Sequence, residues 1–198
     1  MTSQINGLNM AVRNANDAIS MVQTADGAIK EISSMLQRMR ELTVQAASGT
    51  MSSTDRTALN TEFGALEDQI QLISVSTEWN GTKILDGSLG AVSFQVGANA
   101  SQTIAITFGD FNTDNGATEA TQAGVDSTDM FTALDHDTHG SGTAGDDLAG
   151  NVITGTYDDT LDHLDRAIKR VDAHRATIGA TINRLEYAAD NLANVSQN

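Results

Sequence analysis

From Ile5 onward, apolar residues fall at alternating three- and four-residue steps: Ile5, Leu8, Val12, Ala15, Ile19 and Val22. After a polar interruption at Asp26 the phase resumes through Ile29, Leu36 and Met39. A heptad seam sustained for several repeats is the pattern of a coiled coil or a long antiparallel bundle. A helix over about residues 5–47 would be roughly 65 Å long at 1.5 Å per residue, longer than a single globular core uses. Asp26 and Gly27 are the expected weak point or local break. Ser48-Gly49-Thr50 ends the helix, with Gly49 placed for a left-handed C-cap. Ser52 or Ser53 then caps a second helix with Asp55 in its first turn. Leu59, Phe63, Leu66, Ile70 and Ile73 carry the same spacing to about Thr77, and the short connection folds this helix back antiparallel on the first.

Beyond the second helix the period changes. Trp79-Asn80-Gly81-Thr82 is a turn, because Asn-Gly tolerates positive φ at both central positions. Ile84-Leu85, then Ala91 to Val96, then Thr103 to Phe108 read as short strands of a hairpin or meander with one buried face. Residues 109–156 are rich in Gly, Asp, Thr and Ser, and read as loops with one short helix or strand near Met130 to Leu134. From Tyr157 the heptad returns in Leu161, Leu164, Ile168, Val171, Ile178, Ile182, Leu185, Ala189 and Leu192. Asp158, Asp159 and Asp162 precede Arg166, Lys169 and Arg170, an order that suits the helix dipole. Two long seams at opposite ends of a chain, each needing an apolar partner, should pair. The expected architecture is mainly α: a long antiparallel heptad-seamed bundle, or rod, with a small β-hairpin or meander and an acidic loop-rich insertion. Its parts are residues 1–108, two helices plus the hairpin; residues 109–156, the excursion; and residues 157–198, the last helix. Both terminal seams look cut in mid-helix, so the expectation is a piece of a chain that continues helically at both ends and is itself monomeric.

Composition narrows the function. The absence of proline permits long uninterrupted helices, and the absence of cysteine rules out disulfides and thiolate metal sites. A formal net charge of -15 argues against nucleic acid, whose binding needs a basic surface to release phosphate counterions, and equally against anionic membranes. No Lys or Arg occurs between Lys83 and Arg166, so the middle of the chain reads as a solvated acidic module. No apolar run approaches the ~20 residues that cross a bilayer, and the first residues lack the basic and apolar regions of a signal peptide.

Candidate chemistry is sparse. Asp135-His136-Asp137-Thr138-His139 is the most metal-like cluster, yet in a Gly/Ser/Thr-rich segment it reads as an exposed loop. There is no His-Glu-x-x-His, no EF-hand spacing, no Gly-x-Ser-x-Gly elbow and no phosphate-cradling Gly-x-x-x-x-Gly-Lys-Ser/Thr. His163 and His174 lie eleven apart, hence on one helix face, and read as solvated. Neither an enzyme nor a cofactor is indicated. The most informative stretch is Leu36-Gln-Arg-Met-Arg-Glu-Leu-Thr-Val-Gln45, where Leu36 and Met39 share one face while Arg38, Glu41, Leu42 and Gln45 share another. A helix that only fills a core carries one apolar stripe and a solvated remainder. The mixed outward face here has the make-up of a surface that is bound.

Leu36 to Gln45, followed by Ala46-Ala-Ser-Gly49, resembles the most recognisable N-terminal segment of the bacterial flagellins. Thr77-Glu-Trp-Asn-Gly-Thr-Lys-Ile-Leu-Asp-Gly87 resembles the turn and strand after that family's second helix. Leu164-Asp-Arg-Ala-Ile, Val171-Asp-Ala-His-Arg, Gly179 and Asn183-Arg-Leu-Glu186 resemble its C-terminal helix. The resemblance covers about residues 1–108 and 157–198, and implies the rod-shaped core domain called D1, without the terminal helices that line the filament channel. It implies a structural subunit that polymerises with other flagellin subunits into the motility filament, secreted through the flagellar type III export apparatus with its export chaperone, and extracellular. It further implies that Toll-like receptor 5 of vertebrate hosts binds the rod face, at positions that fall on Arg38, Leu42 and Glu62 with Gln37 and Gln45 as neighbours. The alternative is a flagellin homologue at the cell surface or filament junction that binds another ligand such as polysaccharide.

Overall fold

The computed structural model describes residues 2–112 and 157–197. Three helices carry it: α1 (Thr2–Ala46), α2 (Ser53–Ser76) and α3 (Tyr157–Gln197). Four short strands follow α2: β1 (Glu78–Trp79), β2 (Thr82–Lys83), β3 (Ala91–Gln95) and β4 (Thr103–Thr107). At 45 residues α1 is about 68 Å long. The first and last helices run antiparallel, and three polar contacts fix their register. Ser196 donates to the Asn9 side chain at 2.9 Å near one end, Arg175 donates to Asp26 at 3.1 Å in the middle, and Arg40 donates to Asp165 at 2.6 Å toward the other end.

The seam on α1 is a continuous four-three alternation of buried positions: Ala11, Ala15, Ala18, Val22, Ala25, Ile29, Ile32, Leu36, Met39, Thr43 and Ala46. On α3 the buried set is Leu164, Ala167, Val171, Ile178, Thr181, Leu185 and Ala189, and His174 fills the step between Val171 and Ile178. The two seams therefore pair, as their pattern required. The phase of the first turns differs from the sequence expectation. Ile5 is exposed and Val12 and Ile19 are only half-buried, because α1 turns its alanines inward and leaves the larger side chains at the margins. On α3, Leu161 and Leu192 are likewise half-buried.

Two local expectations are corrected. Asp26 and Gly27 do not break α1. The ion pair to Arg175 and the apolar seam on both sides offset the ~1 kcal/mol that a mid-helix glycine costs. Gly49 does not take a left-handed conformation either; among the described residues only Asn80, Gly81, Gly87, Gly90 and Ser101 have positive φ. Instead the last turn tightens, with the Ser48 N–H bonded to the Gln45 carbonyl at 3.1 Å, and the Arg56 guanidinium donates to the Ser48 carbonyl at 3.3 Å. The capping of α2 follows the sequence signal. Ser52 accepts from the Asp55 N–H while the Asp55 carboxylate accepts from the Ser52 N–H, a capping box. The Ser52 hydroxyl also donates to the Asp55 carboxylate at 2.7 Å, and this bond, with that from the Ser52 N–H, holds the Asp55 carboxyl below its ordinary pKa.

α2 lies against α1 and buries Ile70 and Ser74, with Phe63, Leu66 and Ile73 partly buried and Leu59 and Phe63 over Ala46. The Asn80–Gly81 turn has φ of 50° and 76°, the type I′ geometry its sequence implied, and pairs Glu78 with Lys83 and Trp79 with Thr82. Strands β3 and β4 form the second hairpin, from Ala91 opposite Thr107 to Gln95 opposite Thr103. Ile104 and Ile106 face the core while Thr103, Ala105 and Thr107 face out. Ile84 and Leu85 form no part of a strand; they leave β2 to enter the core, where the Leu85 carbonyl accepts from the Phe111 N–H at 2.9 Å. The expected element near Met130 to Leu134 and the Asp135–His139 cluster lie outside the described residues.

Gly87 gives a sharp test of how this end is closed. Its φ is +75°, and a Cβ there would lie 2.5 Å from the Asp110 carboxylate, whereas a Cβ at Gly81, φ +76°, meets open space. Both alanine substitutions carry the left-handed penalty of roughly 1–2 kcal/mol, and only Gly87→Ala adds a collision. Thermal denaturation followed by circular dichroism should show the larger loss for Gly87→Ala; equal losses would mean that Asp110 moves aside freely.

Candidate functional site

Arg38 sits on the exposed side of α1 where α2 passes beside it. Its Nε donates to Glu62 Oε1 at 2.8 Å, its Nη2 lies 2.7 Å from the same oxygen, and its Nη1 donates to Glu41 Oε2 at 3.1 Å. Glu41 is one helical turn away on α1, so the i,i+3 spacing delivers one carboxylate and the antiparallel return of α2 delivers the other. The hydrogen bonds to Glu62 and then Glu41 raise the pKa of Arg38 above its ordinary value. All three side chains keep about half or more of their surface in water, with 47%, 68% and 45% exposed for Arg38, Glu41 and Glu62. An ion pair this exposed adds little stability; it holds a guanidinium and two carboxylates in a defined pattern.

The neighbours of this triad sort clearly. Gln37 and Gln45 are exposed on α1, as the sequence placed them. Leu42 is not. It has no exposed surface and belongs to the core, which corrects its assignment to the outward face. The reason lies in the heptad: Leu36, Met39 and Thr43 are seam positions, and residue 42 is three on from 39, so it flanks the seam closely enough to be covered. The exposed apolar residue of this end is Val44, half exposed.

Arg40 points to the other side of α1 and donates to Asp165 on α3, which lowers the Asp165 pKa through that hydrogen bond. Sequence reading did not foresee this pair, since its members are separated by 125 residues and no local pattern links them. It also read His174 as solvated, although its spacing from Val171 and Ile178 is that of a seam position.

Among the described residues no group of three or more His, Asp or Glu is arranged to hold a metal, and no helix is long and apolar enough to cross a membrane. A shallow open depression on α2, lined by Ser53, Thr54, Thr57, Ala58 and Thr61, offers small hydroxyls without a charged group to orient a substrate.

A long rod seamed by heptads, with its polar groups spread over an exposed surface, defines a structural, assembly-forming class of protein. Comparison with known proteins makes this specific. The family profile described as the bacterial flagellin N-terminal helical region matches residues 1–89. Flagellin B of Vibrio cholerae is 30% identical over 275 residues, covering 100% of this chain and 73% of that protein. The flagellin of Bacillus subtilis is 37% identical over 210 residues, covering 100% of this chain and 67% of that protein. The crystal structure of Bacillus cereus flagellin superposes with a TM-score of 0.67 at 29% identity, covering 91% of this chain and 88% of that one. The chain belongs to the bacterial flagellin family. It is a structural subunit of the flagellar filament, assembling there with other flagellin subunits.

Proposed function

We propose that, beyond its structural part in the filament, the protein is recognised by Toll-like receptor 5 through the α1–α2 face that carries Gln37, Arg38, Gln45 and Glu62. The observation that supports this is the Arg38 guanidinium, exposed yet fixed between Glu41 and Glu62, within the very decapeptide that resembles the family's recognised segment. A charged group already held in one rotamer loses less side-chain entropy when a partner takes it. Leu42 has a different part in this reading: buried beneath the face, it supports the backbone that displays Arg38 and makes no contact itself. The subunit reaches this role after export through the flagellar type III apparatus with a chaperone, and acts outside the cell. A chain free of cysteine is compatible with that route, since it forms no disulfide before threading.

Surface plasmon resonance against the receptor ectodomain tests the assignment. Arg38→Ala and Glu62→Ala should each weaken binding by roughly tenfold to a hundredfold, the range of a central interface residue, with unchanged helical circular dichroism. The exchanged pair Arg38→Glu with Glu62→Arg keeps an ion pair across the helices but reverses its polarity, and should not restore binding. Wild-type affinity in both alanine variants would remove the receptor assignment and leave the filament role untouched.

A further inference from the structure

His174 occupies a core position of α3 and is bound in a way that only its neutral form permits. Its Nε2 accepts a hydrogen bond from the Gly109 N–H at 3.3 Å. A ring nitrogen accepts only when it carries no proton, so the ring must hold its single proton on Nδ1. The Phe111 ring meets the imidazole edge-on, with centroids 5.5 Å apart and planes at 69°. Phe108, Gly109 and Phe111 are all buried, and Phe111 donates its N–H to Leu85 while Asp110 bridges to Asp86. Residues 108–112 are therefore held on one side by the Leu85–Gly87 segment and on the other by α3, where His174 supplies the hydrogen bond. They are also the last residues before the acidic stretch from 113 onward.

We propose that His174 is a proton-released fastening, which holds residues 108–112 on the rod at neutral pH and lets them go on mild acidification. Protonation removes the acceptor of the Gly109 N–H and places a charge beside the Phe111 ring in a desolvated site. Among the described residues no carboxylate offsets that charge. On the elements around it the ionisable groups are Asp110 in the segment, Asp86 beyond it, Arg170, Asp172 and Arg175 on α3, and Asp26 and Lys30 on α1. Arg175 and Asp26 hold each other, the Asp86 carboxylate accepts from the Ser88 N–H and hydroxyl, and Asp172, Arg170 and Lys30 are exposed. Burial accordingly pushes the imidazole below its ordinary pKa. With the folded value depressed, the released state binds the proton first. The fastening is at full strength above about pH 6.5 and weakens as pH falls from there toward the folded value. Apart from His174 itself, the α1–α3 seam is made of side chains that do not titrate in this range, so the rod remains while its β end loosens.

Amide hydrogen exchange followed by NMR on the wild-type chain and on His174→Gln tests this. Glutamine offers a non-titrating acceptor in the same direction. Protection factors of the Gly109 and Phe111 amides, corrected for intrinsic rates, should fall between pH 7.5 and 5.5 in the wild type, by at most about tenfold for a released-state pKa of about 6.5. Those of Ile32 and Leu36 in α1 should not change, and His174→Gln should abolish the pH dependence at Gly109 and Phe111. Protection at Gly109 and Phe111 that is flat with pH in the wild type, or equally pH-dependent in His174→Gln, overturns the proposal. Should the variant not fold, the wild-type titration decides alone: protection at Gly109 must begin to fall near pH 6.5 and level off only where the His174 ring itself titrates, at lower pH.

Discussion

Leu42→Ala is expected to lower the stability of the rod by about 2–5 kcal/mol, the range for emptying a leucine-sized site in a close-packed core. The residue has no exposed surface and lies one turn from the end of α1, where α2 begins its return. Urea unfolding followed at 222 nm should show an earlier midpoint with an unchanged slope, since the surface exposed on unfolding is nearly the same. Arg38→Ala, at a half-exposed position four residues away, should leave the midpoint where it is. The contrast matters for function. A receptor-binding loss in Leu42→Ala would reflect a loosened α1–α2 junction, and it should be partly relieved at low temperature, whereas a loss in Arg38→Ala should persist at any temperature at which the chain is folded. A Leu42→Ala variant as stable as the wild type would return Leu42 to the surface and to the list of direct contacts.

The second large effect is expected on the alanine side of the seam. Ala18 and Ala25 have no exposed surface, and the Asp26–Arg175 contact sets Ala25 at about the level of Ile178 on α3. Leucine at either position adds carbon atoms where the helices are already in contact, at a cost of typically 1–3 kcal/mol. The two sites are seven residues apart, about 10 Å along the axis, so their effects should be roughly additive. The double variant Ala18→Leu/Ala25→Leu is therefore expected to lose about 2–6 kcal/mol, seen as a lowered thermal midpoint. Ala28→Leu, at a half-buried position beside the same seam, is the control and should cost less. Enhanced stability in the double variant would show that the axes can separate to admit the larger side chains.

These two tests locate where sequence reading was sufficient. The heptads fixed three helices and the pairing of the first with the last, because a 3.5-residue apolar repeat leaves each helix a stripe that only another such stripe can cover. Ser52-x-x-Asp55 and Asn80-Gly81 fixed a cap and a turn, because their chemistry is local and acts within four residues. The exposure of Arg38 and Gln45 was legible from seam phase, whereas Gln37 and Glu62 were named only through the resemblance to the family. Tertiary structure decided the rest. Whether Leu42 is covered depends on how far the contact spreads beyond the seam, and that is set by the width of the partner. Whether Val12 or Ala11 faces inward depends on how closely two axes approach, which the small residues of both helices settle together. Arg40 met Asp165 and Arg175 met Asp26 only after the antiparallel register had been chosen. His174 stood at a seam spacing all along, but its partner, a glycine amide 65 residues away, exists only once the β end folds back over α3. Local patterns specify faces and ends; which groups meet across them is a property of the packed chain.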